Sequence, residues 1–171
     1  MMAIQPNKAK TPHVTVPNNE VCEKLMGGIT EGVLVMSRDD MPYAVPMNHT
    51  YRGGKIYLHC GLKGRKLDII RNNPHVCFVA YRYIGSPVDD RGYVCHSTCE
   101  SVIAYGTARV VTGVEERREM LQTFVERFQP GRQVTDQDLA RCGCIVIDVE
   151  HMTVRREAIP RECTYWEWSP R

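Results

Sequence analysis

The spacing of apolar residues changes period several times along this chain, and each change predicts an element. Near-alternation over residues 55–60 (KIYLHC) puts Ile56, Leu58 and Cys60 on one face and Tyr57 and His59 on the other, as in a strand with one buried side. From Gly64 the spacing lengthens. Leu67, Ile69 and Ile70 then fall on one side of a short helix that stops at Asn72-Asn73-Pro74, because a residue before proline is pushed out of the helical region. Residues 76–84 (VCFVAYRYI) follow as a nearly continuous apolar strand.

The same reading covers the rest of the chain. Residues 18–28 predict a short helix, capped by Asn18 or Asn19, with Val21, Leu25 and Met26 on its apolar side and Gly27-Gly28 at its end. Strands are expected at 31–37 and 42–52, joined by a turn at Arg38-Asp39-Asp40, with Pro46 marking an edge or a bulge. Gly53-Gly54 signals a hairpin into the 55–60 strand. After a polar loop at 85–97 comes a long strand, 99–112, bent at Gly106. Thr112-Gly113-Val114-Glu115 reads as a capping box opening a helix over 113–128, with Met120, Leu121, Phe124, Val125 and Phe128 on its apolar face. A polar segment at 131–141, strands at 143–150 and 151–158, and an aromatic tail (Tyr165-Trp166-Glu167-Trp168) complete it. Residues 1–17 read as an arm and 18–171 as one domain. Six or seven mainly antiparallel strands with two or three peripheral helices predict a mainly β protein, a closed or split β-barrel.

Composition narrows the function. The 171 residues carry 22 basic and 20 acidic side chains, a balance that argues against electrostatic nucleic-acid binding. No apolar run approaches a membrane span and no signal-peptide core is present, so the expected location is the cytoplasm, with no membrane partner. Eight cysteines (Cys22, Cys60, Cys77, Cys95, Cys99, Cys142, Cys144 and Cys163), several inside apolar strand patterns, read as reduced thiols. Cys95-His96-x-x-Cys99 with Cys142-x-Cys144 is the nearest approach to a metal motif, but its pairs lie far apart, and scattered thiols are the better account. His49, His75 and His151 show no ligand spacing and read as surface or strand histidines. No catalytic triad, paired carboxylates, dinucleotide fingerprint or P-loop occurs.

One charge cluster stands out. Lys63, Arg65 and Lys66 crowd the start of the short helix, where exposed N–H groups and the helix dipole already make the potential positive. Gly61 and Gly64 allow the backbone to turn its N–H groups inwards, so an anion such as a phosphate would relieve the repulsion. A solvated basic turn is the plainer reading of KGRK alone; the strand before it and the helix after it favour the phosphate.

The order of these segments resembles the FMN-binding split-barrel flavoproteins related to pyridoxamine 5'-phosphate oxidase, and within them the Nim-type, nitroimidazole-resistance branch. The resemblance is carried by Gly32-Val-Leu-Val35, Pro42-Tyr-Ala-Val-Pro-Met-Asn48, Lys55-Ile-Tyr-Leu-His-Cys60, Gly64-Arg-Lys-Leu-Asp68, Asn73-Pro74 and Glu100-Ser-Val-Ile103. It implies a homodimer with FMN at the interface and a small-molecule substrate. It places the phosphate by Lys63, Gly64, Arg65 and Lys66, the ribityl chain or ring along Leu58, His59 and Cys60, and the isoalloxazine against backbone groups of Pro46, Met47 and Asn48. Glu100, Ser101 and Val102 would add further cofactor contacts. His59 would either donate a proton to the substrate or only orient the cofactor. The implied activity is an FMN-dependent oxidoreductase acting on an electron-poor, nitroaromatic-like substrate. The competing expectation is a non-catalytic barrel that binds FMN, F420 or haem. An Arg-x-His element, which the resemblance associates with vitamin B6 oxidation, is absent from this chain, so that activity is not expected.

Overall fold

The computed structural model describes residues 15–86, 97–158 and 162–170. Its elements run β1 (Thr15–Pro17), α1 (Asn19–Gly28), β2 (Glu31–Arg38), β3 (Met41–Arg52), β4 (Lys55–Cys60), α2 (Arg65–Asn72), β5 (His75–Gly85), β6 (Thr98–Val111), α3 (Val114–Phe128), α4 (Asp136–Arg141), β7 (Gly143–Ala158) and β8 (Glu162–Trp168). The strands order as β1-β8-β7-β4-β3-β2-β5-β6, and a further β7–β6 pairing closes six of them into a barrel. Moving around it, the partners on β7 climb from Cys144 beside His59 to Val154 beside Val102, so the strands are steeply tilted, as closure requires.

Two apolar clusters hold this together. The barrel interior takes the alternate inward residues of each strand, among them Leu34, Ile56, Leu58, Phe78, Val102, Ile145 and Ile147, with Cys22, Leu25 and Met26 of α1 and Leu67, Ile69 and Ile70 of α2 closing its ends. A second cluster lies on the outer face of β4 and β7, where Met120, Leu121 and Val125 of α3 and Leu139 of α4 cover Cys144 and Val146.

Several sequence expectations are refined. The helix at 114–128 is capped by Gly113 without a side-chain bond, so Thr112 makes no capping box. The capping box belongs instead to α4, inside the segment read as merely polar: Thr135 and Asp138 bond reciprocally. The two strands expected at 143–158 are one, kinked where Gly106 pairs Val149 and Tyr105 pairs His151. Gly106 is required there, since a Cβ would sit 2.1 Å from the Asp148 carbonyl oxygen. The aromatic tail is strand β8, with β1 parallel to its outer edge. Trp168 is buried and donates its indole N–H to Glu23 at 2.8 Å.

Candidate functional site

The barrel is split beside β3. That strand pairs with β2 along its length, from Glu31↔Asn48 to Arg38↔Met41, but with β4 only from His49↔Leu58 to Arg52↔Lys55. Residues 41–48 therefore have one open edge. The His49 N–H bonds the Thr30 carbonyl on the β2 side at 3.0 Å. With the two-residue alternation of a strand, the backbone groups of Asn48 and the carbonyl of Pro46 face the open edge. Pro46 costs no ladder bond there, which is why a proline is tolerated in mid-strand.

A cleft of about 420 Å³ occupies the split, lined by Glu31, Gly32, Val45, Pro46, Met47, Asn48, His59, Cys60, Gly61 and Lys66. Six of the thirteen sequence-predicted site residues (Pro46, Met47, Asn48, His59, Cys60 and Lys66) thus meet in one place. Gly64, at φ +140°, caps α2 with no side-chain bond, so the first turn keeps its free N–H groups. Lys63, Arg65 and Lys66 form no ion pair among the described residues. Arg65 is held over the Tyr43 ring, 4.9 Å from its centroid. The one acid of that first turn, Asp68, bonds Arg71 at 3.0 Å, so among the described residues no carboxylate pairs with the three cations.

His59 projects outward from β4, edge-on to Phe124 of α3 with ring centroids 4.6 Å apart. Burial against that helix pushes its imidazole below the ordinary range, so the neutral ring prevails at neutral pH. Neither ring nitrogen has a hydrogen-bond partner among the described residues. Cys60 also lines the cleft; burial raises its thiol, with Lys66 pulling the other way, so it is no thiolate nucleophile.

The side chains of Leu58 and Val102 are fully buried in the barrel interior, which leaves only their backbone groups for the cofactor contacts expected of them. Glu100 is also buried, and Arg82 and Arg156 bond it from both neighbouring strands. Burial alone would raise its carboxyl, but the two arginines outweigh that and the net shift is downward. Ser101 stays on the outer face, partly exposed. The register Met47–Gly32–Ala80–Val102 places the 100–102 segment three strands from Met47, about 14 Å along the sheet, and two from Gly32 on the opposite wall of the cleft. Within one chain the two groups of predicted residues do not meet.

Of the two readings offered for His49, surface or strand, the structure shows the strand one: it lies in β3 with its ring buried in the core. Its Nε2 lies 3.0 Å from the Met26 carbonyl, which makes it the protonated donor nitrogen, and burial lowers its pKa to about 4. Residues 95 and 96 lie outside the described residues; among those described, six cysteines are free thiols and no cluster has metal-holding geometry. No described helix is long and apolar enough to cross a membrane. Sequence reasoning missed Glu31 and Tyr43, whose roles depend on register, and Phe124, whose ring reaches His59 only through the packing of α3.

Comparison with known proteins agrees with this architecture. The protein family described as pyridoxamine 5'-phosphate oxidase matches residues 18–156. A candidate 5-nitroimidazole antibiotic resistance protein from Bacteroides thetaiotaomicron superposes with a TM-score of 0.69 at 20% identity, covering 82% of this chain and 85% of that one. A FAD- and haem-binding protein from Mycobacterium smegmatis superposes with a TM-score of 0.74 at 18% identity, covering 85% and 74%. An uncharacterized protein of Rhizobium meliloti is 33% identical over 63 residues, which span 37% of this chain and 41% of that relative.

Proposed function

The chain belongs to the pyridoxamine 5'-phosphate oxidase family, and from that premise we propose that it is an FMN-binding oxidoreductase for a small, electron-poor substrate of the nitroaromatic class. The observation that carries this reading is the cluster of unpaired cations at the start of α2 beside a cleft edged by free backbone groups of Pro46 and Asn48. Those features fit a flavin mononucleotide: a phosphate needs the N–H groups and cations of Gly64, Arg65, Lys66 and Lys63, and a flavin's polar edge needs backbone donors and acceptors. Bound there, the flavin would supply the electrons. The chain's own residues bind and orient. Lys66 and the α2 amides hold the anion, and Asn48 and Pro46 present backbone groups. His59, neutral and unpartnered, offers a ring N–H or, once protonated, a proton to a substrate in the cleft.

The experiment is the visible spectrum of the purified protein with and without added FMN. Flavin bands bleached by dithionite and regained in air are expected. They should be lost when Lys63, Arg65 and Lys66 are replaced together by serine; full retention in that triple variant would refute the phosphate assignment. A second reading, haem binding, draws support from the unpartnered nitrogens of His59, one of which would hold the iron, and from the haem-binding neighbour. It predicts an intense Soret band that His59→Ala abolishes.

A further inference from the structure

A second cavity opens on the other side of His59. It measures about 280 Å³ and lies beneath the C-terminal half of α3, between Phe124, Phe128, Val134 and Cys142. Only Asn48 and His59 belong to both cavities, so these two side chains form the wall between them. Its lining is mainly apolar, and its charged residues neutralise each other: Arg132 bonds Asp138 at 2.7 Å. An ionic ligand would find no free counter-charge there. The rings of Phe124 and Phe128 are close to parallel, 19° apart, and His59 meets Phe124 edge-on, so planar aromatic surface borders the space. Neither the Asn48 amide nor the His59 imidazole has a hydrogen-bond partner among the described residues. Each therefore offers donor and acceptor capacity at the wall of an otherwise apolar pocket.

We propose that this pocket is a second binding site, separate from the flavin cleft, for a small uncharged planar heteroaromatic that stacks on the Phe124–Phe128 wall and hydrogen-bonds Asn48 or His59. The site needs no flavin. A ligand in it touches the face of His59 turned away from the cleft, so its occupancy restricts the orientation of the imidazole that the cleft sees.

Indazole, neutral and planar with one donor and one acceptor, is a suitable probe. Titrated into the full-length protein by calorimetry, it should show one saturable site, and the His59 ring proton resonances should shift with the same affinity. Phe128→Asp and Gln129→Trp both alter exposed positions at the end of α3, so the fold should survive, as their unfolding midpoints would verify. Each should weaken indazole at least tenfold while FMN retention is unchanged. The Lys63, Arg65 and Lys66 triple variant should bind indazole as the parent does. Saturable binding that FMN displaces would place the probe in the cleft and overturn the proposal. So would an affinity unaltered in both pocket variants, or no saturable binding at all. A parent protein that ignores FMN yet binds indazole in a Phe128-dependent way would refute the flavin reading and leave this one standing.

Discussion

At the scale of single residues, the two histidines flanking the split do opposite things with the same desolvation. His49 is sealed inside the barrel with Nε2–H on the Met26 carbonyl and Nδ1 without a partner, and its pKa falls to about 4 from the ordinary 6.5. The unfolded chain therefore takes up a proton between pH 6.5 and 4 that the folded chain refuses. The stability tied to neutral His49 is complete above pH 6.5 and is lost as the pH falls towards 4, at about 1.4 kcal/mol per pH unit. His49→Leu should flatten the dependence of the urea midpoint on pH across that window, and an unchanged slope would exonerate His49. His59 is exposed on one side, so its depressed pKa bears on reactivity instead. If it delivers a proton, substrate reduction should fall as the pH rises through an apparent pKa below 6.5, and that limb should disappear in His59→Asn while FMN binding persists. A limb surviving in that variant would leave His59 only an orienting role. Gly32 limits the cleft differently: a Cβ there would lie 2.4 Å from the Phe78 ring and 2.9 Å from the Val79 carbonyl oxygen. Gly32→Ala should cost about 1–3 kcal/mol in chemical denaturation.

At the scale of elements, what was legible in the chain followed from local physics. The alternation in β4, the proline stop after α2 and the Gly53-Gly54 hairpin each depend on a few neighbouring residues, and each appears where expected. Lys63 to Lys66 were conspicuous because like charge at a helix start is unfavourable wherever the helix lies. Leu58 and Val102 turn their side chains into the core; a strand's pattern reveals two faces without saying which one meets a ligand. Glu100 looked available because its partners, Arg82 and Arg156, are brought to it only by the β5–β6–β7 register. The small helix α4 escaped notice through its length, although Thr135-x-x-Asp138 carried its capping signal. That box fixes Asp138, the partner of Arg132 at the rim of the second cavity, and Arg117 reaches from α3 to the carbonyls of Leu139 and Cys142 at the helix end. Thr135→Ala should cost about 1 kcal/mol, visible as faster amide exchange confined to α4 and the adjoining loop.

At the scale of the molecule, the separation of the two groups of predicted residues becomes an argument about assembly. Residues 46–48 share the cleft with His59, Cys60 and Lys66, whereas Ser101 faces outward on β6, three strands from Met47. A cofactor touching both groups needs a second copy of the chain to bring its own 100–102 segment to the first copy's cleft. The C-terminal end of β5 offers apolar surface for that contact: Tyr81, Tyr83 and Ile84 are each more than half exposed. Aromatic surface on a strand next to Ser101 is costly in water unless covered, and is the type of residue enriched at interfaces. If the homodimer forms through this face, Tyr81→Arg with Ile84→Glu should convert it to a monomer in sedimentation velocity. FMN affinity should fall with it, although neither residue lines the cleft and the α2 cations are untouched. Dissociation with full FMN affinity would show that one chain completes the site alone. An unaltered sedimentation coefficient, with the parent dimeric, would move the interface to another face of the barrel.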